Sequence, residues 1–393
     1  MGRPRTILYT GKGGVGKTSV AACTARACAR AGMRTLVIST DPAHSLSESL
    51  EVELGAEPRQ AGEALWGQEV SAQVEMERHW SGVRDWLSEL FLERGLDRIS
   101  AEELTVPPGM DELFSLLRLQ GAHSCGEWDA IVVDCAPTGE TLRLLSFPDV
   151  AQWWIKKVFP LERQILATAG PIARSLLDIP IPTHEVFEDV RRLSQSLIAM
   201  NEILRDHERS TVRLVMNPEK IAVGEAMRTF TYLNMYGYLT DAVIVNRVFP
   251  AGVGEYFNAW RELQEQQLEL VSTAFSPVPV LRAPYFDREV LGPEMLDRLA
   301  DVLFDDCDPA GVLHRSITQA LETSERGARL RLALPLAEKE KIELKKAGLE
   351  LIVGVNGQRR TIALPPALAR FEPSRARFDG GVLEVVFDAA SDG

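Results

Sequence analysis

The chain has 393 residues, of which 45% are hydrophobic and 25% charged, a balance typical of a soluble globular protein with room for about two or three domains. Its formal net charge of −13 argues against nucleic acid as the main partner and against an anionic membrane bound by charge alone, because both require a basic surface. No apolar run reaches the roughly 18 residues of a transmembrane helix, and no secretory signal precedes the first predicted strand, so we expect a cytoplasmic protein.

A glycine-rich loop follows the first predicted strand, at residues 7–9, and precedes an alanine-rich helix predicted at 19–31. The loop reads Gly11-Lys12-Gly13-Gly14-Val15-Gly16-Lys17-Thr18 and fits the phosphate-binding pattern G-x-x-x-x-G-K-[ST]. Such a loop aims backbone N–H groups and a helix N-terminus at a triphosphate, and glycine lets the backbone approach it. We therefore expect ATP contacts from residues 11–18 and Ser19, with Lys17 at the β- and γ-phosphates and the Thr18 hydroxyl on Mg²⁺.

Further apolar runs predict strands that are buried on both faces, at residues 34–40, 129–134, 212–216, 242–246 and 278–281. Predicted helices separate these runs, and the alternation indicates an α/β fold with a mostly parallel sheet covered by helices. Ligands bind such sheets at the carboxyl ends of the strands, where Asp41, Asp134 and Asn246 fall.

Two of these residues are candidates for the chemistry of hydrolysis. Asp134 ends its strand, where a carboxylate can hold Mg²⁺ or a water bound to it. Asp41 lies where a loop must approach the γ-phosphate, so its carboxylate can orient and deprotonate the attacking water. On chemistry alone, an Asp-Pro turn with Asp41 as a helix cap explains the same residue equally well.

Two long helical insertions are predicted within the sheet, at about 77–121 and 147–209. The second is rich in apolar residues, and prolines divide it into short helices. It either packs into a core of its own, which composition alone favours, or forms a groove for apolar ligands. Trp153 and Trp154 point about 100° apart on a helix, so at least one of them should lie near the surface.

The pattern changes after about residue 325. Leucines alternate with other residues over 330–336, an Asn356-Gly357 turn joins two strands predicted at 349–355 and 359–364, and apolar residues alternate again from Leu383. We therefore expect a P-loop domain over 1–325 and a small all-β domain over 326–393.

The five cysteines are scattered along the chain and form no C-x-x-C pair; they are Cys23, Cys28, Cys125, Cys135 and Cys307. Their odd number and their spacing predict free thiols in a reducing compartment. Neither a disulfide framework nor a structural zinc site is expected.

The lysine at position 12 makes the loop resemble the deviant Walker A loop of dimeric ATPases. Residues 41–46 (DPAHSL) and 134–143 (DCAPTGETLR) closely resemble the two switches of the arsenical pump / tail-anchored protein targeting ATPase family. The resemblance covers roughly residues 5–310. It implies a dimer in which Lys12 reaches the partner's nucleotide, catalysis by Lys12, Lys17 and Asp41, and activation of water by Asp41. Sequence alone also permits a solvent-exposed Lys12.

Residues further along the chain match the family's nucleotide contacts. The resemblance implies that Glu219 contacts nucleotide and that the Asn246 side chain reads the adenine edge. The segment that begins Pro284-Tyr285-Phe286 resembles the family's adenine loop. The C-terminal region resembles the α-crystallin sandwich of small heat-shock proteins, because residues 376–383 (ARFDGGVL) resemble its A-x-x-x-x-G-V-L signature.

The chain also departs from the pattern of the families that it resembles. Residues 247–262 contain no cysteine, so the intersubunit zinc of the eukaryotic targeting factor is not expected. The chain has one P-loop and no evident cysteine cluster for arsenite, whereas the arsenical pump has two fused ATPase halves.

The resemblance implies a homodimeric, Mg²⁺-dependent ATP hydrolase that binds and releases hydrophobic client segments in the targeting of tail-anchored membrane proteins. A membrane receptor is a further partner that this reading leaves open. The rival function is the ATPase motor of an arsenite or antimonite efflux system. The placement of the thiols distinguishes the two functions, because efflux needs a soft-metal site and none is visible in the sequence. A third reading is a nucleotide-dependent scaffold without a client groove.

Overall fold

A computed structural model describes residues 3–40, 45–71, 74–75, 77, 81–82, 84–85, 88, 110–135, 184–316, 319–324, 327–334, 337–355, 358–364 and 368–389. Several predicted features lie outside the described residues: Asp41, the second switch beyond Cys135, and Trp153 and Trp154 in the second insertion. Within the described residues, no helix is both long and apolar enough to cross a membrane.

An eight-stranded sheet organises the N-terminal part of the chain. Its strands are β1 (Arg5–Thr10), β2 (Thr35–Ser39), β3 (Arg59–Gly62), β4 (Leu65–Glu69), β5 (Ala130–Asp134), β6 (Ser210–Met216), β7 (Thr240–Val248) and β8 (Val280–Pro284). They lie in the order β3-β4-β2-β5-β1-β6-β7-β8, and β3 is antiparallel to β4 while the other neighbours are parallel. The predicted mostly parallel α/β sheet is confirmed.

The helices described with this sheet are α1 (Lys17–Arg30), α2 (Ser45–Leu50), α3 (Met110–Ser124), α4 (His184–Leu204), α5 (Lys220–Tyr236), α6 (Asn258–Ala274) and α7 (Gly292–Leu303). A 3-10 turn, Glu255–Phe257, leads into α6. Helices α3 and α4 fall within or at the edge of the two predicted insertions. Most other residues of those insertions lie outside the described part of the chain.

Helix α1 packs closely on the centre of the sheet because small side chains line its inner face. Ala21, Ala22 and Ala25 are completely buried, so the helix backbone approaches β2 and β5. On its outer side, Arg26 makes two hydrogen bonds to the Asp297 carboxylate of α7, at 2.8 and 2.7 Å. This packing holds the N-terminus of α1 at the carboxyl edge of β1 and β5.

The C-terminal region is all-β, as predicted. Its strands are β9 (Gln319–Ser324), β10 (Gly327–Ala333), β11 (Ile342–Ala347), β12 (Glu350–Val355), β13 (Gln358–Ala363), β14 (Phe371–Asp379) and β15 (Val382–Ala389). They form a four-stranded sheet, β14-β15-β10-β9, and a three-stranded sheet, β11-β12-β13. Strand β9 pairs with β10 although it precedes the predicted domain boundary at residue 326. Strands β10 and β13 contact α5, so this region rests on the ATPase part.

A buried ionic cluster fixes the segment that leads into the β region. Arg213 is fully buried, and its guanidinium donates to the carbonyls of Pro309 and Gly311, both at 3.0 Å. The Asp241 carboxylate, also fully buried, pairs with Arg213 and with Arg5, each at 3.3 Å. Arg5 also donates to the carbonyls of Ala310 and Gly311, at 2.8 and 3.3 Å, so the linker is part of the folded core.

Candidate functional site

Packing requires glycine at both ends of the phosphate-binding loop. A Cβ on Gly11 would lie 2.1 Å from the backbone oxygen of Val215 on β6. Gly16 has φ 89°, in the left-handed region, and a Cβ there would lie 2.4 Å from Nδ2 of Asn246. The loop is therefore pressed against β6 and β7 at residues where only glycine fits.

Helix α1 begins with its first-turn N–H groups directed into this loop. Its N-cap is Gly16, which has no side chain to accept hydrogen bonds from them. The Lys17 side chain is only 4% exposed, and its ammonium donates to the Lys12 backbone oxygen at 3.3 Å. First-turn N–H groups that no N-cap side chain satisfies within the described residues, together with a buried ammonium, form a site for a phosphate group.

Thr18 and Asp134 meet beside this helix terminus. The Thr18 hydroxyl donates to Oδ2 of Asp134 at 2.6 Å, and Asp134 is fully buried at the end of β5. The register of β1 with β5 explains the contact, because Tyr9, just before the loop, lies opposite Asp134. A hydroxyl and a carboxylate are hard oxygen ligands, which is the donor set that Mg²⁺ prefers.

The described residues on both sides of segment 41–44 contact this pair. Before the segment, Thr40 donates its backbone N–H to the Asp134 carbonyl at 2.9 Å. After it, the Ser45 hydroxyl lies 3.2 Å from the Thr18 hydroxyl. The described residues on either side of segment 41–44 are therefore held at the Thr18–Asp134 pair. Asp41 itself lies outside the described residues, and its role in catalysis stays a prediction.

Cys135 follows Asp134 and is inert in this site. It is buried, and burial, with the Asp134 charge as a smaller cause, raises the pKa of its thiol far above the usual range. The neutral thiol is a poor nucleophile and a poor metal ligand, because both roles need the thiolate.

Asn246 and Arg247 have structural roles that the sequence pattern did not reveal. Nδ2 of Asn246 donates to the Val15 carbonyl at 2.9 Å, and its Oδ1 accepts the Arg247 N–H at 2.9 Å. Arg247 has φ 58° and donates from its guanidinium to the Gly14 carbonyl at 3.0 Å. Both residues hold the loop in place. Recognition of adenine by Asn246 stays a prediction, for which one amide hydrogen and one oxygen lone pair remain.

The other predicted nucleotide contacts, Glu219 and the adenine loop, lie near Arg247. Glu219 precedes α5 and is exposed, and it lines a groove together with Arg247 and Tyr285. Tyr285 stacks on Phe249, with ring centroids 5.6 Å apart and an interplanar angle of 16°. Two further residues of the predicted adenine loop, Pro284 and Phe286, are partly buried beside it. Flat ring surfaces close to the loop suit a nucleobase.

Comparison with known proteins identifies the family. A family model described as "anion-transporting ATPase" matches residues 4–305, which include the phosphate-binding loop, Asp134 and Asn246. The chain belongs to the anion-transporting ATPase family. A second model, an HSP20-like domain found in ArsA, matches residues 325–387. Both predicted resemblances are confirmed, and membership in this family makes the chain an ATP-binding ATP hydrolase.

Three relatives of this chain carry names that point to different roles. A Chlorobaculum tepidum protein, provisionally named an arsenical pump-driving ATPase, is 39% identical over 99% of this chain and 97% of its own length. ATPase GET3B of Arabidopsis thaliana is 30% identical over 76% of this chain and 78% of its own. ATPase get3 of Pyrenophora tritici-repentis is 30% identical over 76% of this chain and 91% of its own length. The comparisons therefore identify the ATPase family, but they do not identify what this ATPase acts on.

Proposed function

We propose that this protein is a homodimeric, Mg²⁺-dependent ATPase of the cytoplasm that binds and releases hydrophobic client segments in the targeting of tail-anchored membrane proteins. The observation that carries the ATPase part is the 2.6 Å hydrogen bond between Thr18 and Asp134, beside the N-terminus of α1. Thr40 and Ser45, on either side of segment 41–44 in the predicted first switch, contact the same two residues. A change at the γ-phosphate can therefore affect the predicted switch through these hydrogen bonds.

The residues at this site have separate tasks in hydrolysis. The Thr18 and Asp134 oxygens fit Mg²⁺, which when bound offsets the charge of the β- and γ-phosphates. Lys17 and the first-turn N–H groups of α1 bind and orient the phosphates. Asp41 accepts a proton from the attacking water as the water oxygen bonds to the γ-phosphorus, and the bond from that phosphorus to the β–γ bridging oxygen breaks, so that ADP leaves with the electron pair. Lys12 crosses to the nucleotide of the second copy and adds positive charge there.

The client-binding part of the proposal comes from the second insertion. Its sequence includes Trp153, Trp154, Ile155, Val158 and Phe159, more apolar surface than a connection between strands needs. These residues lie outside the described part of the chain, so their client-binding role rests on family resemblance, because composition alone favours a core. Two copies that close around ATP would bring two such insertions together as one apolar groove.

A peptide-capture assay tests this function. A fluorescent, uncharged helical peptide of roughly 20 apolar residues, the length of a membrane anchor, is mixed with full-length protein and ATP or ADP. We expect binding with ATP and release with ADP. A peptide of the same length with lysine at every fourth position is the control and should not bind. Equal binding of both peptides, or no dependence on nucleotide, would contradict the proposal.

A second candidate is the motor of an arsenite or antimonite efflux system, and the name of the Chlorobaculum tepidum relative favours it. The thiols of this chain do not suit it. Soft metalloids need converging thiolates, whereas Cys23 and Cys28 are buried on α1 and burial raises the pKa of Cys28 to about 11. All five cysteines are free in this structure.

A further inference from the structure

A buried carboxylate lies beside the start of helix α2. Glu69, the last residue of β4, is only 8% exposed. Its Oε1 accepts the backbone N–H of Ser47 at 2.8 Å, and its Oε2 accepts the Ser47 hydroxyl, also at 2.8 Å. The Ser47 hydroxyl in turn accepts the Leu54 N–H at 3.2 Å. We call Ser47 and Glu69 the Ser47–Glu69 clamp, because two directional hydrogen bonds join the end of β4 to α2.

Glu69 also lies beside the strand that precedes segment 41–44. In the parallel register of β2 with β4, Glu69 lies opposite Ser39, the last residue of β2. The next residue, Val70, donates its N–H to the Ser39 carbonyl at 3.0 Å. Helix α2 begins on the other side of the segment, at Ser45, two residues before Ser47. The end of β4 therefore holds the chain on both sides of segment 41–44.

Helix α2 depends on this seat because it is short. It has six residues, too few for a stable helix without tertiary contacts. Leu46 and Leu50 are buried, and a Cβ on Gly67 would lie 2.8 Å from Cδ1 of Leu54. Gly67 and Glu69 face the same side of β4, since they are two residues apart. Apolar packing sets how closely α2 approaches the sheet, and the charge-assisted hydrogen bonds to Glu69 also set its rotation and its position along β4.

The position of α2 bears directly on the phosphate site. The hydroxyl of Ser45, its first residue, lies 3.2 Å from the Thr18 hydroxyl, which donates to Asp134 at 2.6 Å. A shift of α2 along β4 therefore changes the position of the chain after segment 41–44 relative to the phosphate-binding loop. Attack by water requires accurate placement, and a displacement of about 1 Å can lower a rate about 100-fold.

We propose that Glu69 is a positioning residue for ATP hydrolysis. Through the Ser47–Glu69 clamp it fixes the chain on both sides of segment 41–44 and so keeps Asp41 in place to activate the attacking water. The proposal rests on the role of Asp41 in the proposed function. Glu69 takes no part in the chemistry itself, so its loss should slow hydrolysis and leave ATP binding by the phosphate-binding loop intact.

The test measures steady-state ATP turnover of full-length Glu69→Ala and Glu69→Gln. The control is Glu75→Ala, because Glu75 is 3% exposed and pairs with Arg118 at 3.5 Å, so it controls for loss of a buried carboxylate elsewhere in the chain. We expect Glu69→Ala to lower kcat by about 10–100-fold while KM for ATP changes less than about twofold. Glu69→Gln should retain most of the rate, because its amide oxygen can still accept the Ser47 N–H. The control should keep kcat near that of the wild type.

A double variant separates positioning from loss of folded protein. If Glu69 acts through Asp41, Glu69→Ala should change the residual rate of Asp41→Asn by less than about twofold. An equal loss in both backgrounds would show that Glu69 only stabilises the fold, and this result or an unchanged kcat in Glu69→Ala alone would overturn the proposal. Ser47→Ala, which removes one of the two hydrogen bonds, gives the same comparison if Glu69→Ala does not fold. Full turnover by Asp41→Asn would instead refute the catalytic role of Asp41 in the proposed function, and the positioning role with it.

Discussion

Nδ2 of Asn246 lies 2.4 Å from the position that a Cβ would occupy on Gly16. The same amide group donates to the Val15 carbonyl at 2.9 Å, so it cannot move aside without losing that hydrogen bond. A residue at the end of β7 therefore determines which residue can stand at the N-cap of α1. The phosphate-binding loop and the end of β7 are therefore built as one unit.

Gly16→Ala should destabilise the protein. The substitution forces an alanine to φ 89° and displaces the Asn246 amide, which costs about 1–3 kcal/mol for the backbone and about 1 kcal/mol for the hydrogen bond. Urea unfolding measures the loss. Gly13→Ala is the matched control, because a Cβ on Gly13 meets no atom within 4 Å. Equal stability of the two variants would show that Asn246 does not restrict position 16.

Arg213→Leu should destabilise the protein far more than loss of an exposed arginine. The substitution removes the hydrogen bonds to Pro309 and Gly311 and one partner of the buried Asp241, which costs about 3–5 kcal/mol. Arg30→Leu is the control, because its ion pair with Asp301 is largely exposed and contributes at most about 1 kcal/mol. Denaturant unfolding compares the two. A similar loss in both variants would mean that the linker is not held by the buried cluster.

The strands and helices around the phosphate-binding loop were predictable because their sequence signals are local. The buried runs at β1, β2 and β5 and the alanine-rich α1 appear where the apolar pattern places them. The hairpin of β3 and β4 was missed, because β3 is only four residues long and begins with two exposed polar residues, Arg59 and Gln60. The predicted strand at 278–281 begins before the observed start of β8 at Val280, because the apolar run starts in the turn that precedes the strand.

The contacts that shape the candidate site were less predictable. Thr18 and Asp134 could be paired from motif chemistry, but the hydrogen bond from Asn246 to Val15 joins residues 231 positions apart, and nothing in the local sequence indicates it. The exposure of Trp260 and Leu263 was equally hidden. Their helical spacing resembles that of core residues, and only the packing of α6 shows that another side of the helix is buried.

Trp153→Ser combined with Trp154→Ser should lower peptide capture while ATP turnover and melting temperature change little. The expectation follows from the sequence, because two adjacent tryptophans cannot share one helix face. Fluorescence anisotropy of a labelled apolar peptide measures capture, and calorimetry measures stability. If both residues instead belong to a core, the variant should lose several kcal/mol, about 3–5 for each large-to-small change. That loss would exclude these residues from the client groove.

Arsenite and antimonite should leave the ATPase rate unchanged. Cys23 and Cys28 are buried and their pKa values are raised by burial, so neither offers a thiolate to a soft metalloid. Steady-state phosphate release with and without the metalloid provides the measurement, and a variant with all five cysteines replaced by serine is the control. Stimulation of the wild type that disappears in this variant would favour the efflux motor.

The rate of peptide release tests the central claim most directly. Wild type and Asp41→Asn are loaded with ATP and an apolar peptide, and peptide release and phosphate formation are followed in the same stopped-flow experiment. We expect both proteins to bind ATP and peptide alike. In the wild type, release should follow hydrolysis, and in the variant both should slow together by about 10²–10⁴-fold, as expected for loss of a group that activates water. Release that continues at the wild-type rate while hydrolysis is blocked would contradict the account.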